Sequence, residues 1–477
     1  MNLAFDGSVG PADRAAGPFI YLPFDVPAGT TLIHVRYHHD AGHILDIGLF
    51  DPALGRFPSR AGFRGWSGGA RSEFVLATDH ATPGYIPGEI APGAWQVILG
   101  LAKVGPGPCR YRVEITLDDT PRPRLAPARP APASRTGGGW YRGDLQSHTH
   151  HSDARGSLAD LAAAASARGL DFLAVTDHNT NSHHRELLEA STPALLLVPG
   201  LEVTTYRGHA NVWGVAGWVD FRILADSDLP VLVDHVHERG GLISVNHPKT
   251  QPDCIGCDWE YPVPGGVDCL EAWQGPWLNR NWESLARYDA LLREGRHLTL
   301  VGGSDRHQPG WPDPDPALLQ VGSPTTWLEL SELSVPALLE ALRAGRAFVS
   351  ESPRGPRLEI FVEGRPMGET LRVDPGDSLA VRAVVSGAPG DLLRWVDASG
   401  VARERVIEGE RFEDQWRWVS RGPFLRAEIV ARNGLEQARG LAGELARSGH
   451  LPKGLDPADF DTPLVRALSN PVYLAAK

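Results

Sequence analysis

The feature that most restricts the fold is a pattern that recurs four times between residues 172 and 307: a short apolar run that turns abruptly polar, as in "FLAVTDH", "ALLLVPGLE", "LISVNHP" and "LTLVGGSDRH". Runs this short and this continuously apolar suit strands buried on both faces. Helical segments alternate with them. In "GSLADLAAAASARGL", Ser157 can cap a helix, Asp160 completes the S-x-x-D box and Gly169 supplies the stop. Alternating strand and helix predicts a parallel sheet or barrel with covered faces, in which residues at the C-terminal strand ends converge on one cavity.

A chain of 477 residues exceeds one ordinary core and divides into roughly three units. Residues 1–119 alternate short apolar runs with turns ("TLIHVRYHH", "AWQVILGL", "YRVEITL"), predicting an N-terminal β-sandwich. Residues 120–138 form a linker rich in Pro, Ala and Gly. The barrel is expected over 139–352, and a second β-sandwich with a tail over 353–477, where "RLEIFVEG", "SLAVRAVVSG" and "LRAEIVARN" restore the strand pattern. The fold class is therefore α/β, a barrel flanked by two β-sandwiches.

With 46 Lys+Arg against 58 Asp+Glu, the formal charge of −12 disfavours nonspecific nucleic-acid binding. No apolar run approaches a membrane span, and the start lacks the basic and apolar regions of a signal peptide, so a soluble cytoplasmic protein is expected. Four cysteines form no disulfide framework and fit a reducing compartment; Cys254 and Cys257 in "CIGC" are expected to be unpaired thiols.

Ten of the eighteen histidines fall between His148 and His247. The strand ends supply His148, Asp153, His178, Glu202, His247, Asp305 and His307, with His209 in the adjoining "YRGHANVWG" strand. Imidazoles mixed with carboxylates suit Zn, Mn or Fe, and this set exceeds the needs of one ion. Two or three divalent metals sharing a carboxylate would use them all, with Glu202 as the expected bridge. A single "TDH" carries little weight, because His80 follows the same tripeptide in the first domain without companions. His183, His184 and Arg185 read as a solvated helix start that could reach substrate. His235 and His237 lie in a helical stretch, and His151 is expected to be structural or exposed.

Taken in order, "GDLQSHTHHSD", "LAVTDHNT", "GLEVTTYRGHANV", "SVNHP" and "GGSDRH" resemble the motifs of the PHP (polymerase and histidinol phosphatase) superfamily, most closely its CehA/McbA-like metallohydrolase branch. The resemblance implies a distorted (β/α)7 barrel and a hydrolytic site with two or three metals. The family's first motif is H-x-H followed five residues later by Asp. Anchoring on Asp144-Leu145 and Ser152-Asp153 puts Gln146 at the first His and His148 at the second; the rival register, His148-x-His150, shortens the step to Asp153. By resemblance, Gln146, His148, Glu202 and Asp305 hold one ion, Glu202, His209 and His247 a second, and Asp153, His178 and His307 a third. A glutamine carbonyl is a neutral ligand, so the first ion is expected to bind more weakly, and His150 would substitute if the strand ends early.

Neighbouring metals lower the pKa of a shared water and neutralise charge on the attacked group, so hydrolysis by a metal-activated hydroxide is expected, with Glu202, Asp305 and His307 closest to the chemistry and no organic cofactor. No P-loop, dinucleotide fingerprint or nucleophile elbow stands in a suitable context. Arg155, Lys249 and Arg306 lie beside metal-motif positions and could bind substrate phosphate. The leading expectation is a phosphoesterase acting on a phosphomonoester or phosphodiester of a small molecule or short oligonucleotide. One alternative is amide or carbamate hydrolysis, since the resembled branch includes carbaryl hydrolases; Trp259, Trp273, Trp277, Trp282 and Trp311 allow an aromatic substrate, or simply pack the core. Another is a degenerate, non-catalytic metal domain whose β-sandwiches bind carbohydrate or protein.

Overall fold

The computed structural model describes residues 1–125, 135–250, 254–308, 316–374 and 376–477. Eight strands make up the N-terminal unit: β1 (Asn2–Val9), β2 (Phe19–Val26), β3 (Leu32–His39), β4 (Ile44–Phe50), β5 (Phe63–Gly68), β6 (Glu73–Ala77), β7 (Gly93–Lys103) and β8 (Cys109–Asp118). They form two four-stranded antiparallel sheets, β1-β8-β3-β6 and β2-β7-β4-β5. The alternation in "LIHVRYHH" decides which face is buried: Ile33, Val35 and Tyr37 point inward, while His34 and Arg36 turn out to meet Glu73. Ile33, Val35, Leu45, Ile47, Trp95 and Val97 join the two sheets in one core.

The central unit consists of β9 (Arg135–Asp144), β10 (Phe172–Val175), β11 (Leu196–Thr205), β12 (Gly208–Trp213), β13 (Leu242–Val245), β14 (Cys269–Gln274), β15 (Thr299–Gly303), β16 (Thr325–Leu333) and β17 (Ala347–Ser350). Every residue of β10, β13 and β15 is buried, which is why those runs are apolar throughout. The sheet is mixed. Pairings β9-β10-β11 and β13-β14-β15 are parallel, whereas β12 runs antiparallel to both neighbours and β16 antiparallel to β9. The helix Leu158–Ala167 follows the sequence reading: Ser157 Oγ accepts from the Asp160 N–H at 3.2 Å, the Asp160 carboxylate accepts from the Ser157 N–H at 2.9 Å, and Gly169 takes φ +72°. Strand β9 begins at Arg135, inside the segment expected to be linker, because the long strand β16 supplies a ladder as far as Leu333. The rest of that linker's core, residues 126–134, lies outside the described residues.

Among the described residues the ladder does not close into a barrel: β15 ends one edge of the sheet. Side chains stitch the seam instead. Thr326 Oγ1 accepts from the Gly302 N–H at 2.9 Å and donates to the Gly302 carbonyl at 2.7 Å. Asn470 accepts from the Leu300 N–H at 2.7 Å and donates to the carbonyls of Leu300 and Ala347. The same sheet continues beyond β17 through strands 465–469, 424–430, 392–397 and 400–406, so the C-terminal segment shares a sheet with the centre. A second sheet, built on Arg357–Val362, Ser378–Ser386 and Arg411–Val419, covers it. The helix Gly434–Ser448 was not anticipated; its inner face is mostly small, Ala438 and Ala442 with Leu445, in an otherwise polar stretch. No helix among the described residues is long and apolar enough to cross a membrane.

The N-terminal unit grips the loops after β9 and β10. Arg71 donates to the carbonyls of Ser152 (3.0 Å) and His150, the Gly84 N–H donates to Ser182 Oγ at 3.1 Å, and Thr180 Oγ1 donates to the Gly84 carbonyl at 2.9 Å. Gly84 has φ +100°, and a Cβ there would stand 2.8 Å from the His151 carbonyl, so only glycine allows this approach.

Replacing Asn470 by Leu strands the Leu300 N–H and carbonyl, each an unmet buried group costing roughly 1–3 kcal/mol. Asn470→Leu is expected to lower the melting temperature markedly while Thr462→Ala, which removes only an exposed hydrogen bond to Asp461, leaves it nearly unchanged; thermal unfolding followed by circular dichroism measures both.

Candidate metal centre

The polar tails of the apolar runs meet at one end of the central sheet. Gln146 and His148 follow β9, His178 follows β10, Glu202 lies in β11, His209 in β12, His247 follows β13, and Asp305 and His307 follow β15. Short parallel bridges, Ser147 to Arg306 and His178 to Glu202, carry the strand spacing past the strand ends and hold these loops in register. His247 (φ +26°) and Asp305 (φ +53°) sit in backbone regions that non-glycine residues rarely adopt, which turns both side chains at the ends of their strands.

Glu202 is wholly buried at the centre. Its Oε2 stands 2.8 Å from His178 Nδ1 and 3.7 Å from His148 Nε2; its Oε1 stands 3.5 Å from both His209 Nδ1 and His247 Nε2. Oε1 also accepts from Gln146 Nε2 at 3.0 Å and Asn246 Nδ2 at 2.7 Å. Burial opposes its charge, yet His209 and His178 outweigh burial and hold the carboxyl well below its usual range.

Beside this lies a second convergence. His307 Nδ1 donates to the Asp305 carbonyl at 2.8 Å, and His178 Nδ1 lies 2.6 Å from Thr204 Oγ1. Those partners leave the two Nε2 atoms facing each other at 3.3 Å, with Asp153 Oδ1 3.6 Å from His178 and 3.3 Å from His307. Burial disfavours a positive charge on either ring. The carboxylates override it, raising His178 to about 9 through Asp153 and Glu202, and His307 to about 10 through Asp305 and Asp153. Acids that favour a proton here favour a bound cation equally.

The donor set fits metal. His148 Nε2 stands 2.9 Å from Asp305 Oδ1, yet both ring nitrogens of His148 lack a hydrogen-bond partner, as do Glu202 Oε2, His209 Nε2 and Gln146 Oε1, all buried. Close approach without hydrogen-bond alignment, among soft and hard donors together, is what shared cations relieve. Two overlapping groups lie within ligating range, His148-His178-His307 and His178-Glu202-His209. His247 Nδ1 donates to the Cys257 carbonyl at 3.1 Å, which leaves its Nε2 directed at Glu202.

The other histidines of this stretch lie away from the cluster. His150 is tied to Gly156 and stacks on His151, away from the cluster. His151 packs structurally against Ser182 and Glu186, and His183 and His184 reach the Gly200 carbonyl. His235 contacts Arg239, and His237 contacts Asp268. Of the three proposed phosphate binders, Arg155 is exposed and meets the site through its backbone, donating to the His307 carbonyl, while the buried Arg306 accepts from the His148 N–H. Lys249 is buried with its Nζ on Gln274 Oε1 (2.6 Å) and Asn281 Oδ1 (3.2 Å), and burial pushes its ammonium down to about 7. None of the three lines the cavity above the cluster; the cationic side chains that do are Arg14 and Arg207. Trp259, Trp273, Trp277 and Trp282 pack against Tyr261, each other and Phe460, and Trp311 lies outside the described residues. Contrary to the expectation of free thiols, Cys254 and Cys257 are joined in a disulfide at the cavity's edge, across a turn with Gly256 at φ +75° that sets their Cα atoms 5.5 Å apart.

Residues not singled out from sequence hold the ligating groups in place. Asp144 accepts from the backbone N–H groups of Gln146, Ser304 and Gly322, pinning three loops together. Asp177 accepts from the Thr149 N–H, Thr149 Oγ1 and Ser152 Oγ. Gln274 Nε2 donates to Asp305 Oδ2 at 2.7 Å; Lys249 and Asn279 occupy its Oε1, which fixes the amide's orientation. Asp144 and Asp177 carried a signal, as acids at the abrupt polar turn, whereas Gln274 ends an unremarkable apolar run.

No family model matches the chain, and no curated protein matches its sequence. Among solved structures, a two-domain protein from Bacteroides vulgatus containing a predicted PHP-like metal-dependent phosphoesterase aligns at 16% identity and a TM-score of 0.36, over 66% of this chain and 96% of that one. An amidohydrolase from Chromobacterium violaceum, solved with bound sulfate and no metal, aligns at 14% identity and a TM-score of 0.25, over 37% of this chain and 93% of that one.

Lys249→Met removes one of the two donors that orient Gln274. Metal affinity is expected to fall by about 10- to 100-fold, the usual range for outer-shell partners, measured by competition with a chromogenic chelator.

Proposed function

We propose that the chain is a metal-dependent hydrolase of the PHP type, acting as a phosphoesterase on a small molecule. The observation that carries this reading is Glu202, buried and approached by four imidazoles, of which both ring nitrogens of His148 and Nε2 of His209 are buried without a hydrogen-bond partner. Gln146, His148, Glu202 and Asp305 would hold one ion, Glu202, His209 and His247 a second, and Asp153, His178 and His307 a third. Such ions, when bound, supply an activated water and neutralise phosphoryl charge. The chain's own residues do the rest. Asp305, held by Gln274 and next to His148 and His307, keeps its acceptor oxygens fixed. His307 and Asp153 stand at the open side, half exposed or nearly so, where a substrate oxygen can take or give a proton. Arg14 and Arg207 offer positive charge at the cavity wall to orient an anionic substrate. The cavity of about 820 Å³ suits a small molecule and not a long polymer.

A second reading is hydrolysis of an aromatic amide or carbamate. It is favoured by the aromatic side of the same cavity, where Phe19, Trp66, Tyr206 and Tyr261 stand in place of the tryptophans expected from sequence.

Elemental analysis of purified protein, paired with turnover of p-nitrophenyl phosphate, bis(p-nitrophenyl) phosphate and an aryl methylcarbamate, decides between them. Two or more ions with phosphodiester or phosphomonoester turnover support the phosphoesterase; carbamate turnover alone moves the protein to the second reading. One ion or none, with no turnover after Mn or Zn addition, points to a non-catalytic binding protein. Glu202→Gln is expected to release metal and to lower turnover by more than the roughly 100-fold reached by outer-shell changes. Gln146→His is expected to tighten one ion, and an unchanged metal count would return the His148-x-His150 register.

A further inference from the structure

The cavity over the metal centre has two walls of different origin. The central unit supplies the floor of histidines and acids, and the N-terminal unit supplies the opposite wall through Phe19, Ile44, Asp46, Trp66 and Gly69. That wall is fixed in place: Tyr206, which follows β11, donates from its hydroxyl to Asp46 Oδ2 at 2.6 Å, and Phe221 packs edge-on against Phe19 at 5.8 Å.

Asp46 is the odd group in it. It stands on β4 among apolar neighbours, half-buried, with one oxygen held by Tyr206. Its Oδ1 accepts no hydrogen bond from any described residue. Arg14 lines the same cavity but lies over the Tyr206 ring at 5.2 Å instead of pairing with Asp46. Next to Oδ1 the chain carries two glycines, and a Cβ built on Gly69 would begin 3.5 Å from that oxygen. The approach to Oδ1 is therefore open, and an ionised carboxylate can only accept.

We propose that the N-terminal unit is the specificity wall of the active site, with Asp46 Oδ1 accepting a hydrogen bond from the organic part of the substrate. The inference rests on the phosphoesterase reading and narrows it: the substrate is the phosphate ester of a compact, largely apolar alcohol or phenol that carries a second hydroxyl donor. The apolar body lies against Phe19, Ile44 and Trp66, the phosphate reaches the metal centre, and the hydroxyl reaches Asp46. Asp46 is a binding residue and takes no part in bond making.

The test uses the metal-loaded full chain and non-hydrolysable probes: the three ring isomers of (hydroxymethyl)phenylphosphonate against unsubstituted phenylphosphonate, with Kd by calorimetry. At least one isomer is expected to bind about 10-fold more tightly than phenylphosphonate, the effect of a hydrogen bond to a charged acceptor. Asp46→Leu, which removes the acceptor at similar size, should bring that ratio close to one. Gly69→Val, which crowds Oδ1 at a position with no positive φ, should do the same and guards against a folding defect in the first variant. Equal Kd values for all probes in the wild type, or a preference that survives both variants, overturns the proposal. Turnover of the matching phosphate esters separates the two readings. Hydrolysis without preference removes the Asp46 contact and keeps the phosphoesterase. Preference in binding without hydrolysis keeps the wall and removes the phosphoesterase. Absence of phosphonate binding removes both.

Discussion

A carboxylate with no exposed surface, set among four imidazoles, is the constraint around which the central unit is built. Moving an unpaired carboxylate out of water costs several kcal/mol even after relaxation, so Glu202 has to be met from every side. It is reached from β9 by Gln146 and His148, from β10 by His178, from β12 by His209 and from β13 by Asn246 and His247. Any strand out of register would leave that charge unmatched. Gln146 now has a physical role: its NH₂ joins Glu202 to Asp305, at 3.0 and 3.2 Å, a link that a single imidazole nitrogen cannot make. Its Oε1 has no partner, so rotation of the amide would turn an acceptor toward a cation.

The N-terminal unit is joined to the same centre. Arg71 holds the carbonyls of His150 and Ser152, the residues on either side of His151 and just before Asp153. Tyr206 and Asp46 join the units at the cavity itself. A shift of the N-terminal sheets would therefore move both the cavity wall they supply and the loop that carries Asp153.

Much of this was legible in the sequence, for reasons that can be named. The strands β10, β13 and β15 are buried on both faces, so their sequences are short, apolar and sharply ended, and the residue at each break falls at the cavity. His178, His247, Asp305 and His307 could be picked out this way, Glu202 and His209 from the strands between them, and His148 from the histidine-rich turn after β9. What stayed hidden depends on contacts distant in sequence. Lys249 follows a motif histidine, but burial turns its ammonium inward to Gln274. Asp46 reads as an ordinary polar position in an alternating strand, and only the packing of the two units brings it to the cavity. The unclosed ladder and its side-chain stitching leave no periodic trace, since Thr326 and Asn470 are single residues.

That stitching has a consequence for how the molecule comes into being. The strand Val465–Ser469 pairs with β17, and Asn470, immediately after it, seals the edge of β15 some 170 residues upstream. As the chain is synthesised, the edge of β15 at Leu300 must wait unpaired, the kind of surface that invites pairing with another chain, with only Thr326 to hold it at Gly302. The loop bearing Asp305 and His307 leaves that strand. The end of the sheet that gathers the histidines and acids is thus sealed only after nearly all of the chain has been made, through an asparagine that lies outside that cluster.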